Sequence, residues 1–446
     1  MTTPFSCRPL RQSLQDNLQQ LKTHLAQADL EGLARQSGFL RRLPRKIPIL
    51  RLVLALVALA SESCLSLERV ATVIGLAAGV SYSKQALHER LGLKLELFLA
   101  LVGTALFNQL SIPIQDRGWF KPFRRVLLHD STVENLPKHL AQAFPGSANQ
   151  RHRFAAFKLQ FICDLLHSRV LHLGLSGFTR NDQAASPDIL KLVRAGDLII
   201  RDLGYFVLNV LEQIRLQGAY FLSRFRHGVG VYDAHTGQLL DLARLLRPGQ
   251  SLDRQVLLGA ERVAMRLVAE PVPEAVANER RRKARANRDR RSPPSPEKLY
   301  LLAWNIFVTN VPLEVWPPAA FQPIYRLRWR IEIIFKAWKS HLHLRELNCR
   351  TEHLLRLSIM TKLLFCISAC RLCDSLELLG EDGRHVSLLR LARILGQCAC
   401  WFAATCLGLS VGQWLECHLH HHLFYETRKD RKNFYELLRQ KTIPLT

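Results

Sequence analysis

Two short apolar runs, each ending in an aspartate, most constrain what this chain can fold into. Arg125–Leu128 leads into His129 and Asp130, and Leu198–Ile200 leads into Arg201 and Asp202, with Gly204 just beyond. Apolar runs this short, bounded by polar residues and glycine, read as buried strands. Further strand-like runs fall at Phe154–Cys163, Val170–Gly174 and Tyr220–Phe225, with helical texture at Pro187–Arg194 and Val207–Gln217. Strands in succession, followed by strands alternating with helices, predict an α/β or α+β fold built on a mixed sheet. From His227 to about Glu297 the pattern is shorter and more polar, with a hairpin-like stretch at Gly228–Leu242 and strand-like pieces in Arg254–Val268. Strand texture returns at Tyr300–Thr309, so the mixed layer is predicted to be interrupted between Phe225 and Tyr300.

The flanks read as helical. Phe5–Gln36 carries apolar residues near helical spacing, and Ile47–Ala60 is strongly apolar. Leu65–Leu91 splits into two short helices around Gly75–Gly79, with Ser83 placed as an N-cap for the second. A helix-turn-helix here would turn Lys84, Gln85, His88 and Arg90 toward DNA, while an ordinary helical hairpin fits the same pattern. Toward the other end Leu354–Cys373 and Leu388–Leu395 are helical, ahead of a basic tail near Arg428–Lys432. The expected division is a helical DNA-binding region over 1–115, a core over 116–226 and 299–345, a β-rich insertion with a basic arm over 227–298, and a helical region over 346–446 that could serve dimerisation.

Charge narrows the partner. The 446 residues carry 62 Lys and Arg against 37 Asp and Glu, a net +25, and a folded chain this basic is drawn to a polyanion. A hydrophobic content of 48% excludes disorder. No run reaches the length and apolarity expected of a membrane span, and MTTPFSCRPLRQ lacks the apolar stretch of a signal peptide. Nucleic acid is thus favoured over a membrane surface. Between Glu279 and Arg291 eight Lys or Arg face two acids, which suits an arm that touches phosphates through residues such as Arg280, Arg281, Arg282 and Lys283. Cys366, Cys370 and Cys373 sit at helical spacing in an apolar run and read as buried small hydrophobes. The histidines at 418 and 420–422, near Cys417, read as part of a basic exposed segment, with no metal assigned.

The stretch Tyr325–Lys339, YRLRWRIEIIFKAWK, gathers the chemistry. In a continuous helix Tyr325, Arg328, Glu332 and Lys339 share one roughly 60° stripe, since each residue advances about 100°. With Asp130 and Asp202 at strand ends, Glu332 could complete a set of three carboxylates. Hard divalent ions such as Mg2+ are held by carboxylates, waters and substrate phosphates, and a pair of them activates a nucleophile and stabilises a leaving oxygen. Asp164, Asp182 and Asp197 compete for these roles, but Asp197 precedes its strand and the other two fall in turns.

These motifs resemble the bacterial DDE transposases of the insertion-sequence-4 family, related to the transposon-five transposase. The family pattern of Tyr, two residues, Arg, three residues, Glu, six residues, Lys is met by Tyr325, Arg328, Glu332 and Lys339. Its Asp-x-Gly-Tyr pattern is met by Asp202, Gly204 and Tyr205, and its first acid by Asp130 before Ser131 and Thr132. The resemblance covers about 125–350 and implies an RNase H-like core interrupted by a β-rich insertion. It implies Asp130, Asp202 and Glu332 as ligands of a two-metal Mg2+ site in which Mn2+ substitutes. Arg328 and Lys339 would hold phosphates, Tyr325 would touch the DNA backbone, and Trp304 would be a platform for a flipped base.

The implied activity is cut-and-paste transposition: binding of terminal inverted repeats, metal-dependent nicking at the element ends, and joining of the freed 3′-hydroxyls to target DNA. Double-stranded DNA is the implied partner, a homodimer in a paired-end complex the implied assembly, and the bacterial cytoplasm, on the nucleoid, the implied location. Two other readings stay open on the residues alone: a DNA-binding relic or repressor without catalysis, and a structure-selective nuclease on the same core.

Overall fold

The structure is a computed structural model that describes residues 29–41, 47–60, 65–78, 80, 82–109, 118–148, 153–167, 169–286, 293–347, 349, 351–377 and 387–397. The histidines and Cys417 near 420, the basic tail and the end of the basic arm beyond 286 lie outside the described residues.

Ten strands form one mixed sheet: β1 (Arg125–Leu136), β2 (Pro145–Ala148), β3 (Arg153–Asp164), β4 (Arg169–Gly177), β5 (Asp197–Arg201), β6 (Tyr220–Arg224), β7 (Val231–Asp233), β8 (Leu252–Leu258), β9 (Val263–Pro271) and β10 (Trp304–Thr309). Their order is β2-β3-β1-β5-β6-β10-β9-β8-β7, with β4 paired to β3. The predicted mixed sheet is present: β1, β5 and β6 run parallel, and the remaining pairings are antiparallel. The helix α1 (Leu208–Leu216) crosses from β5 to β6 and buries Val210, Leu211 and Ile214. Gly218 ends it at φ +71, a left-handed conformation that favours glycine.

Three expectations are corrected by this sheet. The stretch between Phe225 and Tyr300 intervenes in sequence between the directly paired β6 and β10, but it adds to the layer where an interruption was expected, since β9, β8 and β7 extend the sheet beyond β10. Strand β1 does not stop at Asp130 but runs on to Leu136, because β3 pairs with it over ten residues. Tyr300 belongs not to a strand but to a short helix, Pro296–Leu301, started by the Ser295 hydroxyl accepting from Lys298 N at 3.2 Å.

The two faces of the sheet bury different things. Side chains alternate along a strand, so Val126, Leu128 and Asp130 face one side while Leu127, His129 and Ser131 face the other. The first side packs against the helices Trp329–Ser340 and Glu352–Glu377 and merges with the helical residues before 110 in one core. On the second, side chains of β8 and β9 join those of the central strands and α1 in a separate core. Within the long helix, Glu352–Cys370 does have the length and composition of a membrane span, contrary to expectation, yet 72% of that stretch is buried inside the protein. Cys366 and Cys373 lie in this buried helix, and burial pushes the Cys366 thiol up.

The two short helices before residue 90 are Leu67–Ala78 and Lys84–His88. Ser83 caps the second, its hydroxyl accepting from Ala86 N at 3.4 Å. That helix spans only five residues, with Lys84, Gln85 and His88 exposed and Arg90 half-buried.

Candidate active site

The parallel register places the first two acids side by side. His129 pairs with Arg201, so Asp130 on β1 and Asp202 just past β5 are the next residues along two adjacent strands. Asp202 sits at a strand end as expected, whereas Asp130 is in mid-strand. The third acid comes from a helix, Trp329–Ser340, whose first turn carries Glu332.

The stripe predicted for a continuous helix is broken and tightened. Phe321–Arg326 and Trp329–Ser340 are separate helices joined by i→i−3 hydrogen bonds: Arg328 N to Tyr325 O at 3.1 Å and Ile331 N to Arg328 O at 3.1 Å. Such bonds advance each residue by about 120°, so Tyr325 is turned away from the line of Glu332 and Lys339. It is 7% exposed, its ring 5.3 Å from that of Phe307. Its hydroxyl donates to Arg201 O and Asp202 Oδ1, each at 3.4 Å, and burial pushes it up to about 12. In this fold Tyr325 supports the Asp202 turn rather than facing solvent.

Arg328, at the joint, touches all three acids. Its Nη1 lies 3.0 Å from Asp130 Oδ2, its Nε 3.7 Å from Asp202 Oδ1, and its Nη2 hydrogen-bonds Glu332 Oε1. Burial works against the guanidinium charge, but Asp202, Tyr325, Asp130 and Glu332 outweigh it and raise its pKa. Asp130 behaves differently. Burial pushes it up to about 6, opposed by the Ser131 N–H that donates to Oδ1 at 2.8 Å and by Arg328.

The donor chemistry fits a hard divalent ion, since all three groups are carboxylates. As folded, however, the carboxylates converge on a guanidinium, and among the described residues no cluster of three His, Cys, Asp or Glu is arranged to hold an ion. Asp130, Asp202 and Glu332 could take an ion once Arg328 turns outward.

The other expected residues divide. Lys339 is tied to Glu134 Oε1 at 2.5 Å and Val133 O at 3.0 Å, two turns along the helix from Glu332. Trp304 is 5% exposed in the core with its ring 4.9 Å from that of Tyr300, so it offers no open face to a base. Trp329, next to Arg328 in the sequence and passed over by the motif spacing, is 62% exposed.

In the basic helix Glu274–Ala286, Arg280 faces inward. It donates to Leu302 O and Trp304 O at 3.3 Å and to Asn305 Oδ1 at 2.7 Å. Arg281 is held by Leu299 O, Asn278 and Glu274. Arg280 is bonded into the fold, whereas the Arg281 contacts to Glu274 and Asn278 lie at the surface. Arg282 and Lys283 are exposed, sharing Glu279.

The competing acids are accounted for locally. Asp197 is buried against Arg125, whose Nε donates at 2.8 Å, and Asp164 accepts from Val126 N and Leu166 N. Asp182 touches the site's framework: it accepts from Ser131 Oγ at 2.8 Å and pairs with Lys158 at 2.7 Å.

A family described as the transposase DDE domain matches residues 121–367, the span that holds all three acids and Arg328. The transposase for insertion sequence element IS231C of Bacillus thuringiensis subsp. berliner is 31% identical over 74% of this chain and 74% of its own. The IS231F transposase of Bacillus thuringiensis subsp. israelensis is 27% identical over 77% of this chain and 76% of its own, and the IS1151 transposase of Clostridium perfringens 25% over 49% and 50%. Among solved structures, the piggyBac transposase synaptic complex with hairpin DNA aligns over 91% of this chain and 83% of that one at 11% identity, with a TM-score of 0.37, too low to carry an argument. The chain belongs to the transposase DDE domain family and is a DDE transposase of an insertion sequence.

Proposed function

We propose that the chain binds the terminal inverted repeats of its element, nicks the ends by Mg2+-dependent hydrolysis of the phosphodiester and joins the 3′-hydroxyls to target DNA, with Asp130, Asp202 and Glu332 as the ligands. The observation that supports this best is the convergence of three carboxylates, from two parallel strands and a helix, on the single guanidinium of Arg328. Such a set suits a cation bound beside a phosphate. When bound, Mg2+ supplies Lewis acidity to the scissile phosphate and lowers the pKa of the attacking water.

The chain's own groups do the rest. Asp130, largely buried on β1, fixes one side of the site, and Asp202 and Glu332, about two-fifths exposed, leave the other side open to DNA. Arg328 holds the acids together before substrate arrives and turns toward the phosphate afterwards, where a guanidinium offsets charge that grows in the transition state. Lys339 can exchange Glu134 for a phosphate oxygen further along the strand. Tyr325 keeps the Asp202 turn in place. Trp329 offers an open aromatic face on which an unstacked base can rest.

In this reading β1 to β6 and β10 form an RNase H-like core, with residues 227–298 inserted between β6 and β10. Residues 1–115 assist DNA binding, and residues 346–446 assist pairing of two copies at the element ends, in the bacterial cytoplasm. The test is incubation of the purified protein with DNA carrying the element's ends and Mg2+ or Mn2+. Nicking that disappears in Asp202→Asn supports the reading; cleavage that persists in Asp130→Ala and Glu332→Gln refutes it.

A further inference from the structure

The face of the sheet opposite the three acids carries a polar layer of its own. Ser131, next to Asp130, points to this second face, as do Lys158 and Gln160, which pair with Val133 and Ser131 across β1 and β3. Lys158, Gln160, His129 and Arg201 are 5%, 1%, 1% and 1% exposed, an expensive concentration of polar groups unless they are bonded. Gln160 Oε1 accepts from the Tyr205 hydroxyl at 2.5 Å, and Arg201 Nη2 donates to Ser186 O at 2.8 Å.

Asp182 stands at the edge of this layer and meets both acid-bearing segments. Its Oδ1 accepts from Ser131 Oγ at 2.8 Å and pairs with Lys158 Nζ at 2.7 Å. Burial pushes its carboxyl up, but Lys158 and Ser131 outweigh this and hold it below the usual carboxylate range. On the other side its Oδ2 lies against the turn after Asp202, where a Cβ added to Gly204 would come within 3.0 Å. A side chain at Gly204 would make Asp182 give way by a few tenths of an ångström.

We infer that Asp182 is a positioning residue: by bonding Ser131 on β1 and seating the Gly204 turn, it sets the spacing of Asp130 and Asp202 from behind the sheet. The path to Asp130 is short, since Ser131 N itself donates to Asp130 Oδ1 at 2.8 Å. Partners at one remove from metal ligands typically govern metal affinity or activity by about 10–100-fold. The inference rests on Asp130 and Asp202 being the ligands, and the test separates the two.

The experiment measures Mn2+ binding to the DNA-free full chain by electron paramagnetic resonance. It adds the Mg2+ concentration for half-maximal nicking, the affinity for end DNA, and thermal unfolding. In Asp182→Ala, Mn2+ affinity is expected to fall, and the half-maximal Mg2+ to rise, by about tenfold or more, with DNA affinity unchanged. Asp182→Asn, which still accepts from Ser131, should recover part of the loss. If Asp182→Ala does not fold, Ser131→Ala carries the same test, because it removes only the hydroxyl link. Unchanged Mn2+ affinity in a folded variant, or a loss confined to DNA binding or thermal stability, overturns the inference. Wild-type Mn2+ binding that is unaffected by Asp130→Asn would instead overturn the assignment of the ligands.

Discussion

Arg328 and a divalent ion should compete for the same three carboxylates, and Arg328→Gln separates their effects. The Arg328–Asp130 pair, at 3.0 Å, is mostly buried, with side chains 13% and 16% exposed. At an effective dielectric near 20 a pair with charge centres about 4 Å apart is worth about 4 kcal/mol of Coulomb energy, part of it offset by desolvation. The contacts to Asp202 and Glu332 involve carboxylates 43% and 42% exposed, and solvent screening holds each to under about 1 kcal/mol.

Removing the guanidinium should therefore cost about 3 kcal/mol of stability in metal-free buffer at pH 7 to 8. The cost should shrink below about pH 6, where Asp130 takes up a proton. Without its resident cation the site should gain affinity for Mn2+. Recovering about half of the lost 3 kcal/mol corresponds to roughly tenfold tighter binding. Nicking should nonetheless fall, because the proposed mechanism turns this guanidinium toward the phosphate. Chemical denaturation with and without Mn2+, together with titration calorimetry, reads all of this. A variant that is destabilised yet binds Mn2+ no more tightly refutes the competition.

Other outcomes follow from the same geometry. The folded pKa of Asp130, about 6, lies above its ordinary 3.8, so the stability it lends is present below about pH 4 and is lost as the pH rises through 6. A denaturation series across pH 4–8 should show metal-free stability declining through that window, and Mn2+ affinity should weaken below about pH 6 as protons compete. Arg282→Ala with Lys283→Ala should lower the slope of log K against log salt for DNA binding by about 1–2, with thermal stability unchanged. Arg280→Ala should instead cost about 1–3 kcal/mol of stability by denaturation, since it strands three partly buried acceptors. Trp304→Ala should cost about 3–5 kcal/mol as a core truncation, whereas Trp329→Ala should leave stability intact and slow nicking in a gel assay.

How much of this could be read in the chain depended on the range of the interaction. Asp202 was legible because a buried five-residue strand stops there and Gly204 follows, a local signal. Asp130 is marked only in part by local sequence: the apolar run ends near it, but the strand continues through alternating polar residues supported by β3. The overwound joint at Arg328 was hidden because helical periodicity assumes uniform winding. The inward turn of Arg280 and the burial of Trp304 depend on partners more than twenty residues away or on another strand, and no spacing rule carries that. Asp182 reads as a turn residue but opens a four-residue helix, Asp182–Ala185, and its partners Ser131, Lys158 and Gly204 come from three other segments.

The continuity of the sheet through β10 and β9 also governs direction. Neighbouring strands rotate by about 20–25° each, and four such steps separate β1 from β9. At that average twist the strand leading into the basic helix would lie at roughly 80–100° to the one bearing Asp130. DNA is stiff over about 150 base pairs, so a duplex aligned with either strand crosses the other like a beam over a rail. Arg282 and Lys283 would then grip such a duplex at one crossing point, a few phosphates wide, instead of following it along its length.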